Sequence, residues 1–289
     1  MGRRLLYGLL MPCVLVTGAS RGIGRATTLR LAARGWDVIA GVRRADDGEA
    51  LVRSGPHAIT PLTLDITDEH QVASLDAALR ARLDAVVNNA GIVVGGPVEA
   101  LPPAEVRRQL EVNVVAQVAV TQAVLPRLRD ACGRVVFVSS LGGRVATPML
   151  GAYNASKFAL EGVADTLRME LAPWRIRVSL VEPAQTDTDI WRRAEDELDD
   201  AVTSLSPRHR DLYAKHIAGF RRTIPRSQRM AAPAEGVAAA IERALTDRRP
   251  RARYVVGASA RAQAILARMT PTAVLDVLLR AGTGVPRRP

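Results

Sequence analysis

The feature that most constrains this chain is a short apolar run, Cys13 to Val16, that leads straight into Thr17-Gly18-Ala19-Ser20-Arg21-Gly22-Ile23-Gly24 and then into helical spacing from Ile23 to Arg34. A strand that passes through three glycines and restarts as a helix turns sharply, and glycine tolerates the backbone conformations that such a turn needs. Short β-rich runs then recur at Asp37 to Val42, Ile59 to Leu64, Asp84 to Asn88, Arg134 to Ser139, Ile176 to Val181 and Arg253 to Val256. Helical spacing falls between them at Glu69 to Arg82, Ala104 to Arg129 and Ala155 to Leu171. Strands separated by crossover helices cannot be joined by hairpins, so they run parallel with helices on both faces. Val135-Val136-Phe137-Val138 is continuously apolar, as a strand covered on both sides must be. The expected fold is therefore α/β: a single doubly wound, Rossmann-type parallel sheet of about seven strands.

At 289 residues the chain is long enough for one such sheet and is read as one domain, 1–289. With 48% hydrophobic and 24% charged residues, disordered and collagen-like classes are excluded. No run reaches the roughly 20 apolar residues of a membrane span. Cys13 and Cys132 cannot form a disulfide framework and lack zinc-site spacing, so no metal is expected and a reducing cytoplasm fits. The net charge of +11 comes almost wholly from arginine, since Lys157 and Lys215 are the only lysines. Without basic runs interleaved with aromatics, this reads as an arginine-rich surface rather than a nucleic-acid site. Arg3, Arg4 and the apolar residues up to Val16 imitate a signal peptide, but cleavage there would destroy the glycine loop.

The pattern changes between 186 and 230 to a charged, irregular stretch, read as an insertion between the last two strands and a candidate substrate lid. The tail, 258–289, mixes Ile265, Leu266, Met269, Val274, Leu275 and Leu278 with arginines. Packing on a partner subunit and contact with a membrane surface are both open to it.

Gly18, Gly22 and Gly24 stand where a helix N-terminus can offer backbone N–H groups to a phosphate, which makes the loop a dinucleotide site. Gly18-Ala19-Ser20-Arg21-Gly22 also matches a hydrolase elbow, with Ser20 as nucleophile and His57, His70, His209 or His216 as base. Against that rival, only one strand precedes the loop. At the end of the second strand, where NAD enzymes place a carboxylate, stand Arg43 and Arg44, with Arg21 in the loop. Guanidinium groups there favour a 2′-phosphate, hence NADP(H), although Asp46 or Asp47 leaves NAD open.

Tyr153 and Lys157 lie four residues apart, on one helix face. An ammonium about 4 Å from a phenol contributes about 4 kcal/mol at an effective dielectric near 20, an upper bound of about 3 pKa units. Lys157 is thus expected to bring the Tyr153 phenol down toward neutral pH.

Thr17-Gly18-x-x-x-Gly22-x-Gly24, Asn88-Asn89-Ala90-Gly91, Asn113, Ser140 and Tyr153-x-x-x-Lys157 together resemble the short-chain dehydrogenase/reductase family, in order along residues 12 to 190. The run Tyr153 to Gly162, with Ser140 thirteen residues before Tyr153, is similar to the hydroxysteroid and retinol dehydrogenase branch. The resemblance implies that Tyr153 exchanges a proton with the substrate oxygen, Lys157 tunes it and binds the nicotinamide ribose, Ser140 polarises the carbonyl, and Asn113 holds a relay water. It also implies that Gly18, Ser20, Arg21, Gly22, Ile23 and Gly24 hold the cofactor phosphates. Asp65 and Ile66 would contact adenine, with Asn89, Ala90 and Gly91 flanking its ribose. Pro183 and Thr188 would lie at the carboxamide and phosphates, and Ala184 replaces the family's glycine between them. The expected activity is hydride transfer between nicotinamide and the carbonyl or secondary alcohol of an apolar substrate, on the strength also of Met149, Leu150, Ile190 and Trp191. A homodimer or homotetramer is the assembly implied. A dinucleotide sensor without turnover is the non-enzymatic alternative.

Overall fold

The computed structural model describes residues 11–55, 58–79, 82–188 and 192–285. The Arg3 to Leu10 part of the signal-like stretch, His57, Ile190, Trp191 and the last four residues of the tail lie outside them. Seven strands form one sheet: β1 (Cys13–Thr17), β2 (Asp37–Val42), β3 (Ile59–Thr63), β4 (Ala85–Asn88), β5 (Arg134–Val138), β6 (Arg177–Pro183) and β7 (Arg253–Val256). Their spatial order is β3-β2-β1-β4-β5-β6-β7, and every pairing is parallel. The order reverses between β1 and β4, and this leaves a crevice at their carboxyl ends.

Side chains alternate along each strand, so the apolar runs divide between two cores. Leu15, Val86, Val135 and Phe137 enter one core with Val120, Val124, Leu128 and Leu160. Val14, Val16, Val87, Val136 and Val138 enter the other with Leu31, Leu51, Val237 and Ile241. The first core packs under α3 (Glu69–Ala73), α4 (Leu75–Ala78), α6 (Ala116–Ala131) and α7 (Gly151–Glu170). Across the sheet lie α1 (Gly22–Ala33), α2 (Ala45–Ser54) and α10 (Ala234–Thr246).

Several sequence expectations are revised in detail. The helix expected over Glu69 to Arg82 breaks at Ser74 into α3 and α4. The expected Ala104 to Arg129 helix is α5 (Pro103–Leu110), a π-helical turn (Glu111–Val115) and then α6. Helix α7 begins at Gly151 rather than Ala155, so Tyr153 is itself helical. The stretch after β6 is not irregular: α8 (Ala194–Ser204) and α9 (Pro207–Arg229) occupy most of it. Leu198, Leu205, Ile217 and Ile224 turn inward from these helices and close with Met149 into a third apolar cluster. The seven-residue spacing from Leu198 to Leu205 and from Ile217 to Ile224 was masked by the many arginines and carboxylates around them. The tail forms α11 (Ala258–Met269) and α12 (Thr272–Gly282). Gly284, just after α12, approaches α9 so closely that a Cβ on Gly219 would sit 2.3 Å from the Gly284 carbonyl oxygen. Among the described residues, no helix is long and apolar enough to cross a membrane.

Among the described residues Phe137 is the largest fully buried side chain, on a strand flanked by β4 and β6. Phe137→Ala is expected to cost about 3–5 kcal/mol, read as a lower urea midpoint at unchanged slope.

Candidate active site

The crevice is built first from backbone. Gly18 and Gly22 take φ of 65° and 53°, in the left-handed region where a side chain is strained. A Cβ on Gly24 would lie 2.1 Å from the Gly18 carbonyl oxygen, so the loop closes only with glycine at that position. Thr17 and Asn89 lock it to β4: the Thr17 hydroxyl accepts from the Asn89 and Ala90 amides at 3.0 and 3.1 Å. In return the Asn89 side-chain amide donates to the carbonyls of Thr17 and Gly18 at 2.9 and 3.1 Å. Helix α1 then starts at Gly22 with no side-chain cap and no acidic residue in its first turn. Its first N–H groups and the positive end of its dipole are left for an anion, which is the donor set a dinucleotide diphosphate needs. The Thr188 methyl lies 3.1 Å from where a Gly22 Cβ would stand, so residue 188 roofs the loop.

Ser20 is partly exposed beside this turn, and among the described residues no histidine hydrogen-bonds to it. Ile23 packs on the second core. Arg43 and Arg44 follow β2 and are exposed, and Arg44 reaches the Asp46 carboxylate at 3.4 Å. Asp65 turns its carboxylate onto the Thr67 amide and hydroxyl, while Ile66 is buried in the first core. One oxygen of the Asp65 carboxylate and the Ile66 side chain are thus committed to the fold.

At the other end of the crevice, Ser140, Tyr153 and Lys157 come together. The Ser140 hydroxyl accepts from the Gly142 amide at 3.0 Å and hydrogen-bonds the Tyr153 phenol. The Lys157 ammonium lies 5.8 Å from the Tyr153 ring centre and donates to the Val138 carbonyl at 2.8 Å. Gly142 is pressed against the ring: a Cβ there would lie 3.1 Å from a Tyr153 edge carbon.

Electrostatically the pair differs from the simple expectation. Burial pushes the phenol up, opposed by the Ser140 hydrogen bond, so the phenol is raised rather than lowered. Burial also pushes Lys157 down to about 8, opposed by the Glu161 carboxylate. The reason is geometric. The ammonium is desolvated along with the phenol, and its proton is directed at a backbone carbonyl.

Asn113 is fully buried in the π-helical turn. Its side-chain oxygen accepts from the Ile92 amide at 2.9 Å, and its nitrogen donates to the Ile92 carbonyl at 3.0 Å and to Ser156 at 3.1 Å. Two residues that the sequence reading missed do the same work. Gln109 bonds the Val94 amide at 2.6 Å and the Ile92 carbonyl at 2.9 Å, and Gln117 donates to the Ala90 carbonyl at 2.8 Å. Side-chain amides at 109, 113 and 117 thus zip the extended segment after β4 to the neighbouring helix. Their four-residue spacing was the available signal. Asn154 was missed too: it accepts from Thr147 at 3.0 Å and donates to Gly142 at 2.9 Å, fixing the loop that carries Ser140.

Residues 12–199 match the family model described as short chain dehydrogenase. The chain belongs to the short-chain dehydrogenase family. It is 33% identical over 256 residues to an NADPH-dependent 3-dehydrocapnine reductase of Ornithobacterium rhinotracheale, covering 85% of this chain and 88% of that one. It is also 33% identical over 277 residues to retinol dehydrogenase 5 of Mus musculus, covering 92% and 87%. A solved short-chain dehydrogenase from Streptomyces avermitilis superposes with a TM-score of 0.77 at 28% identity, covering 96% and 100%. As a short-chain dehydrogenase, the protein is an NAD(P)-dependent oxidoreductase that exchanges a hydride between nicotinamide and a carbonyl or alcohol carbon. The hydrolase and sensor alternatives have no support.

Two predictions follow from the geometry. Gly24→Ala is expected to destabilise the fold by about 1–3 kcal/mol and to weaken dinucleotide binding at least tenfold, measured by melting and titration calorimetry. Lys157 is buried and its folded-state pKa is depressed, so the unfolded chain holds more protons between pH about 8 and the ordinary lysine value of 10.5. Stability contributed at this position therefore rises with pH through that window. Lys157→Met is expected to raise the melting temperature at pH 7 while removing activity, and that stability gain should shrink as the pH approaches 10.5.

Proposed function

We propose that the protein is an NADP(H)-preferring reductase of apolar ketones or aldehydes, with Tyr153 as the proton donor. The observation that carries this reading is the Ser140 hydroxyl bonded to the half-buried Tyr153 phenol, with the Lys157 ammonium one helical turn away. A phenol is protonated near neutral pH, so Tyr153 has a proton to deliver to the oxygen of a carbonyl as it is reduced. When bound, the nicotinamide supplies the hydride. Ser140 orients and polarises the carbonyl oxygen, and Tyr153 delivers the proton to it. Lys157 keeps a positive charge behind the phenol as its negative charge develops, and binds the nicotinamide ribose. Asn113 takes part in proton resupply through its main chain, because its side-chain amide is spent on Ile92 and Ser156.

Gly18, Ser20, Arg21, Gly22, Ile23, Gly24 and Thr188 hold the diphosphate. Asn89, Ala90 and Gly91 border the adenine ribose, while the 65–66 turn contacts adenine. Pro183 ends β6 beside the carboxamide, where Ala184 narrows backbone freedom. Preference for NADP(H) is supported by the exposed Arg43 and Arg44 where a ribose-binding carboxylate would stand, and by the likeness to the NADPH-dependent 3-dehydrocapnine reductase. The apolar substrate is supported by the likeness to retinol dehydrogenase 5. The Tyr213 hydroxyl tethers the lid helix α9 to Glu99 at 2.7 Å.

Purified protein given NADPH and a panel of apolar ketones is expected to consume NADPH, with Tyr153→Phe slower by about 10²–10⁴. No turnover with any carbonyl or alcohol would refute the reading. Arg43→Asp with Arg44→Asp is expected to shift the NADPH to NADH ratio of kcat/KM at least tenfold toward NADH, measured by initial rates.

A further inference from the structure

One turn of α7 beyond Lys157, a cluster of charges is buried behind the site that neither the phenol nor the dinucleotide loop explains. Glu161 is 8% exposed, accepts from the Ser139 hydroxyl at 2.6 Å and from Arg253 at 3.0 Å. Arg253, on β7, also reaches Asp165 at 2.6 Å and Glu182 at 3.2 Å. Glu182 is fully buried on β6, next to Pro183, and is gripped by Arg144 at 2.7 Å from the loop that follows Ser140. Gly143 is pressed into the same place: a Cβ there would lie 3.1 Å from both the Glu161 side chain and the Ser139 hydroxyl. Three carboxylates and two guanidiniums therefore join four elements that converge on the site: the Ser140 loop, α7, the end of β6, and β7.

We propose that Glu161 and Arg253 are positioning residues for the reaction, Glu161 holding the proton on Lys157 and Arg253 limiting how strongly it does so. The proposal rests on the reading of Tyr153 and Lys157 given above and deepens it. Among the described residues no carboxylate is bonded to Lys157, and its ammonium donates to the Val138 carbonyl. Lys157 and Glu161 stand one turn apart on α7 and reach adjacent residues, the ammonium the Val138 carbonyl and the carboxylate the Ser139 hydroxyl, with the Tyr153 ring one turn before them. The other charges of this region, Arg253 on β7, Asp165 on α7, Glu182 on β6 and Arg144 on the loop after β5, connect to Lys157 through Glu161. Of all these groups, Glu161 is the carboxylate whose charge supports the ammonium against desolvation. Arg253 shares that charge, and Ser139 fixes the distance.

The chain has two lysines, so selectively ¹³C-labelled lysine gives two resonances, and Lys215→Arg assigns them. Lys215 is exposed and serves as the internal reference. The expected result is that Glu161→Gln lowers the titration midpoint of Lys157 by about half a unit or more, while Arg253→Gln raises it by a similar amount. Lys215 stays where it is. Loosening of the fold cannot move one midpoint in opposite directions, and either variant is decisive if the other does not fold. A Lys157 midpoint unchanged in the folded variants, or moved in the opposite sense, overturns the proposal. The alkaline limb of the NADPH-dependent reduction rate should follow the same two shifts. The titration needs no turnover, so shifted midpoints without any reductase activity would leave this inference standing and remove the proposed function instead.

Discussion

Parallel strands place all their carboxyl ends on one edge of the sheet, and the reversal of strand order between β1 and β4 opens that edge. Everything capable of binding or chemistry is hung from this opening. The glycine loop leaves β1, the Asn89 to Gly91 segment leaves β4, Ser140 follows β5, and Pro183 ends β6. Two apolar cores hold the strands rigid from both faces, so the loops at the edge are positioned by packing far below them. A crevice of this kind needs its backbone held open, which is why so many buried side-chain amides and hydroxyls are spent on main chain there. Thr17, Asn89, Gln109, Asn113, Gln117 and Asn154 all bond backbone within a turn of the site.

The same rigidity exacts desolvation. Lys157 is itself buried, and among the described residues its ammonium keeps only a carbonyl as direct partner. Tyr153 is desolvated with it. Stability and reactivity oppose each other at this point: an apolar side chain at 157 would suit the fold better, and only the chemistry favours an ammonium. The charged cluster of Glu161, Arg253, Glu182 and Arg144 is a further cost of the same kind. Buried pairs of this sort contribute little net stability, yet removing one partner leaves the other exposed to the full penalty.

Much of this was legible in the residues. Continuous apolar runs separated by helical spacing could satisfy their backbones only in a parallel sheet, and the glycines after the first run had one use at a strand-to-helix turn. Where the reading erred, charge density hid the pattern. The Thr186 to Met230 stretch looked irregular because arginines and carboxylates crowd the outward faces of α8 and α9, while the inward faces carry a sparse apolar stripe. The π-helical turn at Glu111–Val115 was invisible for another reason: it replaces part of a continuous helix without altering the apolar periodicity around it.

The sequence by itself determined the sheet, the glycine turn and the pairing of Tyr153 with Lys157, because each follows from local spacing and from the need to bury apolar runs. Only the tertiary structure decided what those groups feel. Whether a phenol is lowered by a neighbouring ammonium or raised by burial depends on distance, solvent and third partners such as Val138, Ser140 and Glu161. These come from other strands, loops and turns. Electrostatic interactions are set by positions in space, and positions separated by tens of residues are not encoded in any single stretch of chain.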